Sequence, residues 1–208
     1  MKKYILFIDT ETTGKPKNWN LPYSATDHWP SAIQLAWVLS DENGIEVKRE
    51  SFFIDVEDLK ISPKSIRVHG ITKEFLKKNA EERGFVLNRL TKDILEYRPL
   101  IIGHFTEFDI HTLSCDYFRA GMENPFYQSQ FYCTMLKSED YVLNPEIKYL
   151  RLPQLYEFLF DLKMENSHNA IVDAEITNRC FFEIQRRGEI TEEDLQSVHQ
   201  KIICKLKF

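Results

Sequence analysis

Three short segments carry side chains that could do chemistry together. Asp9 and Glu11 follow the apolar run at residues 4–8. Side chains two apart on a strand share a face, so both carboxylates point the same way. Asp109 follows a second apolar run, residues 100–103, close to a helix start, and His168 stands five residues before Asp173 in the first turns of another helix. Taken singly, each has a plain structural explanation: turn chemistry for the Asp-x-Glu, dipole complementation for a carboxylate near a helix start, and an ordinary loop histidine. Taken jointly, four converging carboxylates would repel. A like-charge pair about 4 Å apart costs ~1 kcal/mol in water and ~4 kcal/mol at an effective dielectric of about 20. Such a cluster is stable chiefly when hard divalent cations sit between the oxygens, and a carboxylate-rich site that keeps water suits Mg²⁺ or Mn²⁺. Two such ions about 3.5–4 Å apart form the clamp used in phosphodiester hydrolysis, and a neutral histidine beside them could accept the attacking water's proton.

The elements that must position these groups can be read from the apolar pattern. Residues 4–8 form an unbroken apolar stretch too short for a helix, which reads as a central strand covered on both faces. Residues 32–39 and 45–54 read as two strands joined by the turn Asp41-Glu42-Asn43-Gly44, hence antiparallel. Pro63 can open a short helix and Gly70 close it. Residues 82–97 carry Phe85, Leu87, Leu90, Ile94 and Leu95 at helical spacing, ending before Pro99. Residues 100–103 are a second buried strand, and residues 108–120 a helix closed by Gly121. A short strand is expected at residues 131–135. Helices follow at residues 152–160 and 170–187, the latter striped by Ala170, Ala174, Thr177, Phe181 and Ile184. Thr191 with Asp194 forms a capping box for a last helix. Strands first, then helices alternating with strands, give one α/β domain: a mixed sheet with helices on its faces.

Residues 15–31 form a proline-bearing loop, long for a compact domain and therefore a candidate for function. Its Trp19, Tyr23 and Trp29 could stack on a base or close the loop over the core. Lys73, Lys77 and Lys78 lie at helical spacing and read as a solvated face. The chain of 208 residues with 43% hydrophobic content can bury a full core without disulfides or structural metals. Its formal charge of -5 argues against a broad electrostatic nucleic-acid binder, though not against an enzyme gripping one end of a strand. The four cysteines show neither zinc-ligand nor redox spacing, and Cys180 and Cys204 read as buried reduced thiols. The leading apolar run is shorter than a signal-peptide core, and no run approaches a membrane span. These features together suggest a soluble, cytoplasmic setting without membrane partners.

Phe7-Ile8-Asp9-Thr10-Glu11-Thr12-Thr13-Gly14 resembles the first motif of the DEDDh 3′–5′ exonucleases, the family that includes the proofreading epsilon subunit of bacterial DNA polymerase III. Gly103-His104-Phe105-Thr106-Glu107-Phe108-Asp109 resembles the second, and His168-Asn169-Ala170-Ile171-Val172-Asp173-Ala174 the third. Val68-His69-Gly70-Ile71-Thr72 is similar to a stretch these enzymes carry between the first two. Two positions depart from the pattern: Phe105 stands where the family usually has Asn, and Cys133 where many members have Asp. Residues 15–31 also look longer than the matching turn in compact members.

The resemblance implies an RNase H-like mixed five-stranded sheet flanked by helices, with residues 1–188 as the exonuclease domain and 189–208 as a C-terminal helical extension. It implies two Mg²⁺ (or Mn²⁺) ions held by Asp9, Glu11, Asp109 and Asp173, with His168 as general base, and Thr12, His69 and Phe108 contacting the terminal nucleotide. The reaction implied is release of nucleoside 5′-monophosphates from single-stranded or frayed 3′ ends, on DNA in proofreading or repair, with a polymerase or repair protein as partner. The alternatives are an exoribonuclease trimming RNA, a non-catalytic nucleic-acid-binding protein on the same fold, and a metal-dependent phosphatase with Asp9 as nucleophile.

Overall fold

The computed structural model describes residues 3–56, 60–165 and 168–207. Its strands are β1 (Tyr4–Thr12), β2 (Ala32–Asp41), β3 (Glu46–Ile54), β4 (Ala80–Glu81), β5 (Leu100–Gly103) and β6 (Gln130–Cys133). Its helices are α1 (Pro63–His69), α2 (Lys73–Asn79), α3 (Arg83–Tyr97), α4 (Thr106–Arg119), α5 (Thr134–Lys137), α6 (Leu152–Phe160), α7 (Ala170–Arg186) and α8 (Glu192–Ile203). The strands form one mixed sheet in the order β4-β3-β2-β1-β5-β6. The five strands expected are therefore joined by a sixth: the two-residue β4 pairs parallel with the end of β3, Phe53 opposite Ala80. Two residues leave no periodic trace in a sequence.

β1 is the hub. It runs antiparallel to β2 with Ile8 opposite Trp37 and parallel to β5 with Phe7 opposite Ile102. Phe7 packs against Phe181 and Phe182 of α7. Ile8 shares the opposite face with Trp37, whose indole N–H donates to Asp93 of α3 at 2.8 Å. By the two-residue alternation, Asp9 and Glu11 continue the Phe7 side, the side that α7 covers. The hairpin joining β2 to β3 closes through the Asp41 carboxylate, which accepts from the amides of Asn43 and Ile45, with Gly44 at φ 80°.

Several boundaries differ from the sequence reading. α2 is a further helix, with Lys73, Lys77 and Lys78 along it, and Thr72 caps it by accepting from the Phe75 amide. In α3 the buried stripe is Val86, Leu87, Leu90, Asp93 and Ile94, while Phe85 and Leu95 are exposed. The stripe is rotated because Asp93 turns inward to meet Trp37 and Lys48. α4 begins at Thr106, two residues early. The Thr106 hydroxyl lies within hydrogen-bond distance of the Gly103 amide and carbonyl and of the Tyr132 carbonyl, joining the helix start to β5 and β6. β6 ends at Cys133, where α5 takes over.

Tyr23 and Trp29 are buried, packing with Cys115 and half-buried Trp19 into a small cluster against α4, so those two close the core, with Trp29 also at the wall of a cavity. Cys204 is exposed, because it caps the end of α8 and lies beyond its buried residues Val198 and Ile202. Among the described residues no helix is long and apolar enough to cross a membrane.

Candidate active site

Three separated segments meet at the C-terminal ends of β1 and β5. The Asp109 carboxylate, one turn into α4, accepts from the Thr10 amide at 3.1 Å and the Thr10 hydroxyl at 2.7 Å. This bond pair locks α4 to β1 in the residue between Asp9 and Glu11. Gly103 makes room for it: a Cβ there would lie 3.2 Å from the Ile8 carbonyl and 3.3 Å from the Asp109 carboxylate. The third segment is held by Gln34 on β2, opposite Glu11 in register. Its side-chain carbonyl accepts from the Ala170 amide and its amide donates to the Asn169 carbonyl group of the side chain, fixing the start of α7 against the sheet. Gln34 is buried and was not anticipated, since only its distant partners reveal its purpose.

The carboxylates are brought close enough to perturb one another. Asp9 is raised well above the usual carboxylate range, first by burial and then by Asp109, Asp173 and Glu11. Burial, then Asp173 and Asp109, push Glu11 up to about 8. Burial lifts Asp109 to about 7 against its hydrogen bonds from Thr10, and lifts Asp173 to about 6 against the bond from the His168 amide. Asp9 and Asp173 are half-buried, while Glu11 and Asp109 are buried. One oxygen of Asp173 is buried without a hydrogen-bond partner among the described residues. Ligand atoms of Glu11, His168 and Asp173 lie within 4.8 Å of one another.

An oxygen-rich donor set, raised proton affinities and an orphaned carboxylate oxygen are what a divalent-cation site looks like when its ligands face one another. The arrangement fits such ions, and protonation is the alternative way to relieve the repulsion. His168, exposed and at φ 68°, sits at the rim next to these acids.

Thr12, His69 and Phe108 all line a cavity of about 950 Å³ that opens beside Glu11. The Thr12 hydroxyl donates to the Gly14 carbonyl at 2.7 Å, within the turn. His69 accepts from the Ile71 amide at Nδ1, while its Nε2 is buried without a hydrogen-bond partner among the described residues. Burial pushes the His69 pKa down. Phe108 stacks on Phe105, and Trp19 of the long loop lies against both rings. Phe105 holds φ 95°, a region costly for a bulky residue. Its aromatic contacts account for what stands at this departure from the family pattern.

A family model described as an exonuclease, of RNase T type, matches residues 6–181. The DNA polymerase III PolC-type of Pediococcus pentosaceus is 30% identical over 184 residues, which is 86% of this chain and 11% of that polymerase. A structure of exonuclease I superimposes with a TM-score of 0.73 at 18% identity, covering 94% of this chain and 42% of the other. Exonuclease I of E. coli in complex with a dT13 oligonucleotide gives 0.72 at 20% identity, covering 89% and 41%. The chain thus spans a small part of the polymerase and less than half of exonuclease I, and the structural likeness is one of fold.

Proposed function

The chain belongs to the exonuclease family, as a DEDDh-type 3′–5′ enzyme, and from that premise we propose that it removes nucleotides from the 3′ ends of single-stranded or frayed DNA in a divalent-metal-dependent hydrolysis. The observation that carries this reading is the convergence of Asp9, Glu11, Asp109 and Asp173 from β1, α4 and α7, each with a raised proton affinity. DNA is favoured over RNA because the polymerase relative is a DNA polymerase and the E. coli exonuclease I neighbours were captured with DNA oligonucleotides. A proofreading or repair setting, with a polymerase as partner, extends the same argument.

In this reading Asp9, Glu11, Asp109 and Asp173 would hold two Mg²⁺ or Mn²⁺ ions. When bound, such ions neutralise the charge that builds up on the phosphate and promote attack by water. The residues of the chain do the rest. Thr10 holds the Asp109 carboxylate in place through its amide and hydroxyl. Gln34 holds α7, and with it Asp173, against the sheet. Thr12, His69 and Phe108 seat the terminal nucleotide at the edge of the cavity, where Phe108 offers a ring face to a base. His168 accepts the proton of the attacking water. The water oxygen bonds to phosphorus, the bond from phosphorus to the 3′ oxygen of the preceding nucleotide breaks, and that oxygen takes a proton. A nucleoside 5′-monophosphate leaves. Residues 1–188 constitute the catalytic unit, and 189–208 an extension whose helix α8 packs beside β6.

The decisive experiment incubates the protein with Mg²⁺ and with DNA and RNA oligonucleotides labelled at either end. Stepwise shortening from the 3′ end, faster on DNA and abolished by EDTA, is expected. Shortening from the 5′ end, or full activity after exhaustive chelation, would overturn the reading, and preference for RNA would move it to RNA trimming.

A further inference from the structure

The cavity beside the carboxylates has walls that the chemistry above does not use. Thr10, Glu11 and Thr12 line it at the end of β1. Residues 15–31 form one side, and the segment running into α1 forms the other. Lys15 and Lys17 face it from the loop, and Lys60 and Lys64 from the opposite side. All four are exposed, and none has an ion-pair partner within the usual range among the described residues. That is unusual placement for a chain whose formal charge is -5 and whose neighbouring site gathers four carboxylates. The lining sets four lysines against two acids, Glu11 and Asp27, so a polyanion meets there a net charge opposite to its own.

The frame that carries them is fixed. The Lys17 amide donates to the His28 carbonyl at 2.8 Å, bridging the two limbs of the loop. The Arg119 guanidinium donates to the carbonyls of Thr26, Trp29 and Pro30. The Ser62 amide donates to the Thr13 carbonyl at 2.8 Å, tying the α1 side to the same turn. The cavity walls are thus joined to each other and to the end of β1, so the backbone bearing the lysines is set relative to Glu11.

We propose that the cleft between residues 15–31 and α1 holds the sugar–phosphate backbone of the single strand upstream of the terminal nucleotide, with Lys15, Lys17, Lys60 and Lys64 as its phosphate contacts. The proposal rests on the reading that the terminal nucleotide sits at the carboxylates. It assigns the extra length of the loop a purpose: the strand is gripped by its backbone, so the grip is indifferent to sequence. Lysine contacts to phosphate release counterions, and for single strands each contributes about 0.7 to the slope of log affinity against log salt concentration. Lys73, Lys77 and Lys78 on α2 lie outside the cavity and provide a control of equal charge.

The test is binding without turnover. Affinity for a short, fluorescently labelled oligothymidylate is measured by anisotropy in EDTA across a KCl series. The triple variant Lys15→Ala, Lys17→Ala, Lys64→Ala should bind more weakly at low salt, with a slope shallower by about 2, three contacts at ~0.7 each. The triple variant Lys73→Ala, Lys77→Ala, Lys78→Ala should keep the wild-type slope. Equal changes in both variants, no change in either, or no binding by the wild type would each overturn the cleft. Because no hydrolysis is read, the two ideas separate: an inactive enzyme with the lysine-dependent slope keeps the cleft and loses the exonuclease reading, and an active enzyme with an unchanged slope does the reverse.

Discussion

Asp109 and Asp116 lie two turns apart on α4, and both are buried, yet the protein surrounds them in opposite ways. Asp116 accepts from the Ser31 hydroxyl at 3.1 Å, the Ala32 amide at 2.9 Å and the Arg119 guanidinium at 2.7 Å. The first two bonds string the long loop and the start of β2 onto α4, and Arg119, on α4 itself, supplies the countercharge. Asp109 accepts from Thr10 and has an acid, Asp173, as its charged neighbour, with no cation paired to it among the described residues. A buried charge supplied with a cation and donors is architecture, and its loss leaves unpaired partners. A buried charge supplied with more charge of its own sign is relieved either by taking up protons or by a cation from outside the chain. The same residue type, on one helix, thus marks the difference between what holds the fold and what the fold holds ready.

That contrast can be broken most directly by substitution at its two ends. Asp109→Asn keeps the shape and the bonds from Thr10 but should lower hydrolysis on the order of 10³-fold or more, since metal-assisted charge stabilisation amounts to several kcal/mol. Its melting temperature in EDTA should stay level or rise, because repulsion falls. A marked drop in that temperature would make Asp109 a structural residue after all. Asp116→Ala should do the converse: about 3–5 kcal/mol of stability lost in denaturant melts, with rate per folded molecule retained. His168→Ala tests the proton acceptor, with an expected loss on the order of 10²–10⁴-fold and no change in melting temperature. A rate close to wild type would remove this residue from the mechanism.

Titration sharpens the comparison further. Glu11 and Asp109 are raised to about 8 and about 7, so between their unfolded values and these the folded protein holds protons that the unfolded chain has released. Stability in EDTA should therefore fall as pH rises through that range. His104 and His111, both pushed down to about 4 chiefly by desolvation, act with the opposite sign. Their contribution is present above their unfolded value near 6.5 and lost as pH drops toward 4. The acids alone are thus read from about pH 6.5 to 8. Melting temperature should decline across that window in EDTA and stay flat with saturating Mg²⁺, which binds the folded site and relieves the repulsion. A flat profile in EDTA would mean that the acids are not close in solution.

The smallest effect expected is at Gly103. Its added Cβ in Gly103→Ala would press on the Ile8 carbonyl, the Thr106 hydroxyl and the Asp109 carboxylate. A displacement of a few tenths of an ångström should cost about tenfold or less in kcat, since a full ångström costs about 10²-fold. KM should not change, because substrate contacts are elsewhere.

Much of this was legible in the chain. The apolar runs ending at Ile8 and Gly103 are the central parallel pair. Gly70 in the left-handed region closes α1, and Thr191 and Asp194 cap α8 reciprocally. The stripe from Ala170 to Ile184 is buried throughout. These succeed because each rests on near neighbours in sequence. The misses share the opposite cause. The apolar spacing of α3 includes Phe85 and Leu95, which are exposed, because the partners that rotate the helix, Trp37 and Lys48, lie on β2 and β3. Tyr23 and Trp29 could not be told from base-stacking residues without α4 beneath them.

Local physics therefore determined the elements, the turns and the segments holding the four acids, because periodicity, caps and strand ends are written in adjacent residues. Only the tertiary structure decided which polar groups serve the frame and which face the substrate. Asp116 and Gln34 became positioning residues through partners 84 to 136 positions away, and Lys15, Lys17 and Lys64 came to face a cleft across a cavity. The reason is physical: a charge's role depends on what lies within a few ångströms of it, where the low dielectric makes each neighbour count, and sequence distance carries no record of that.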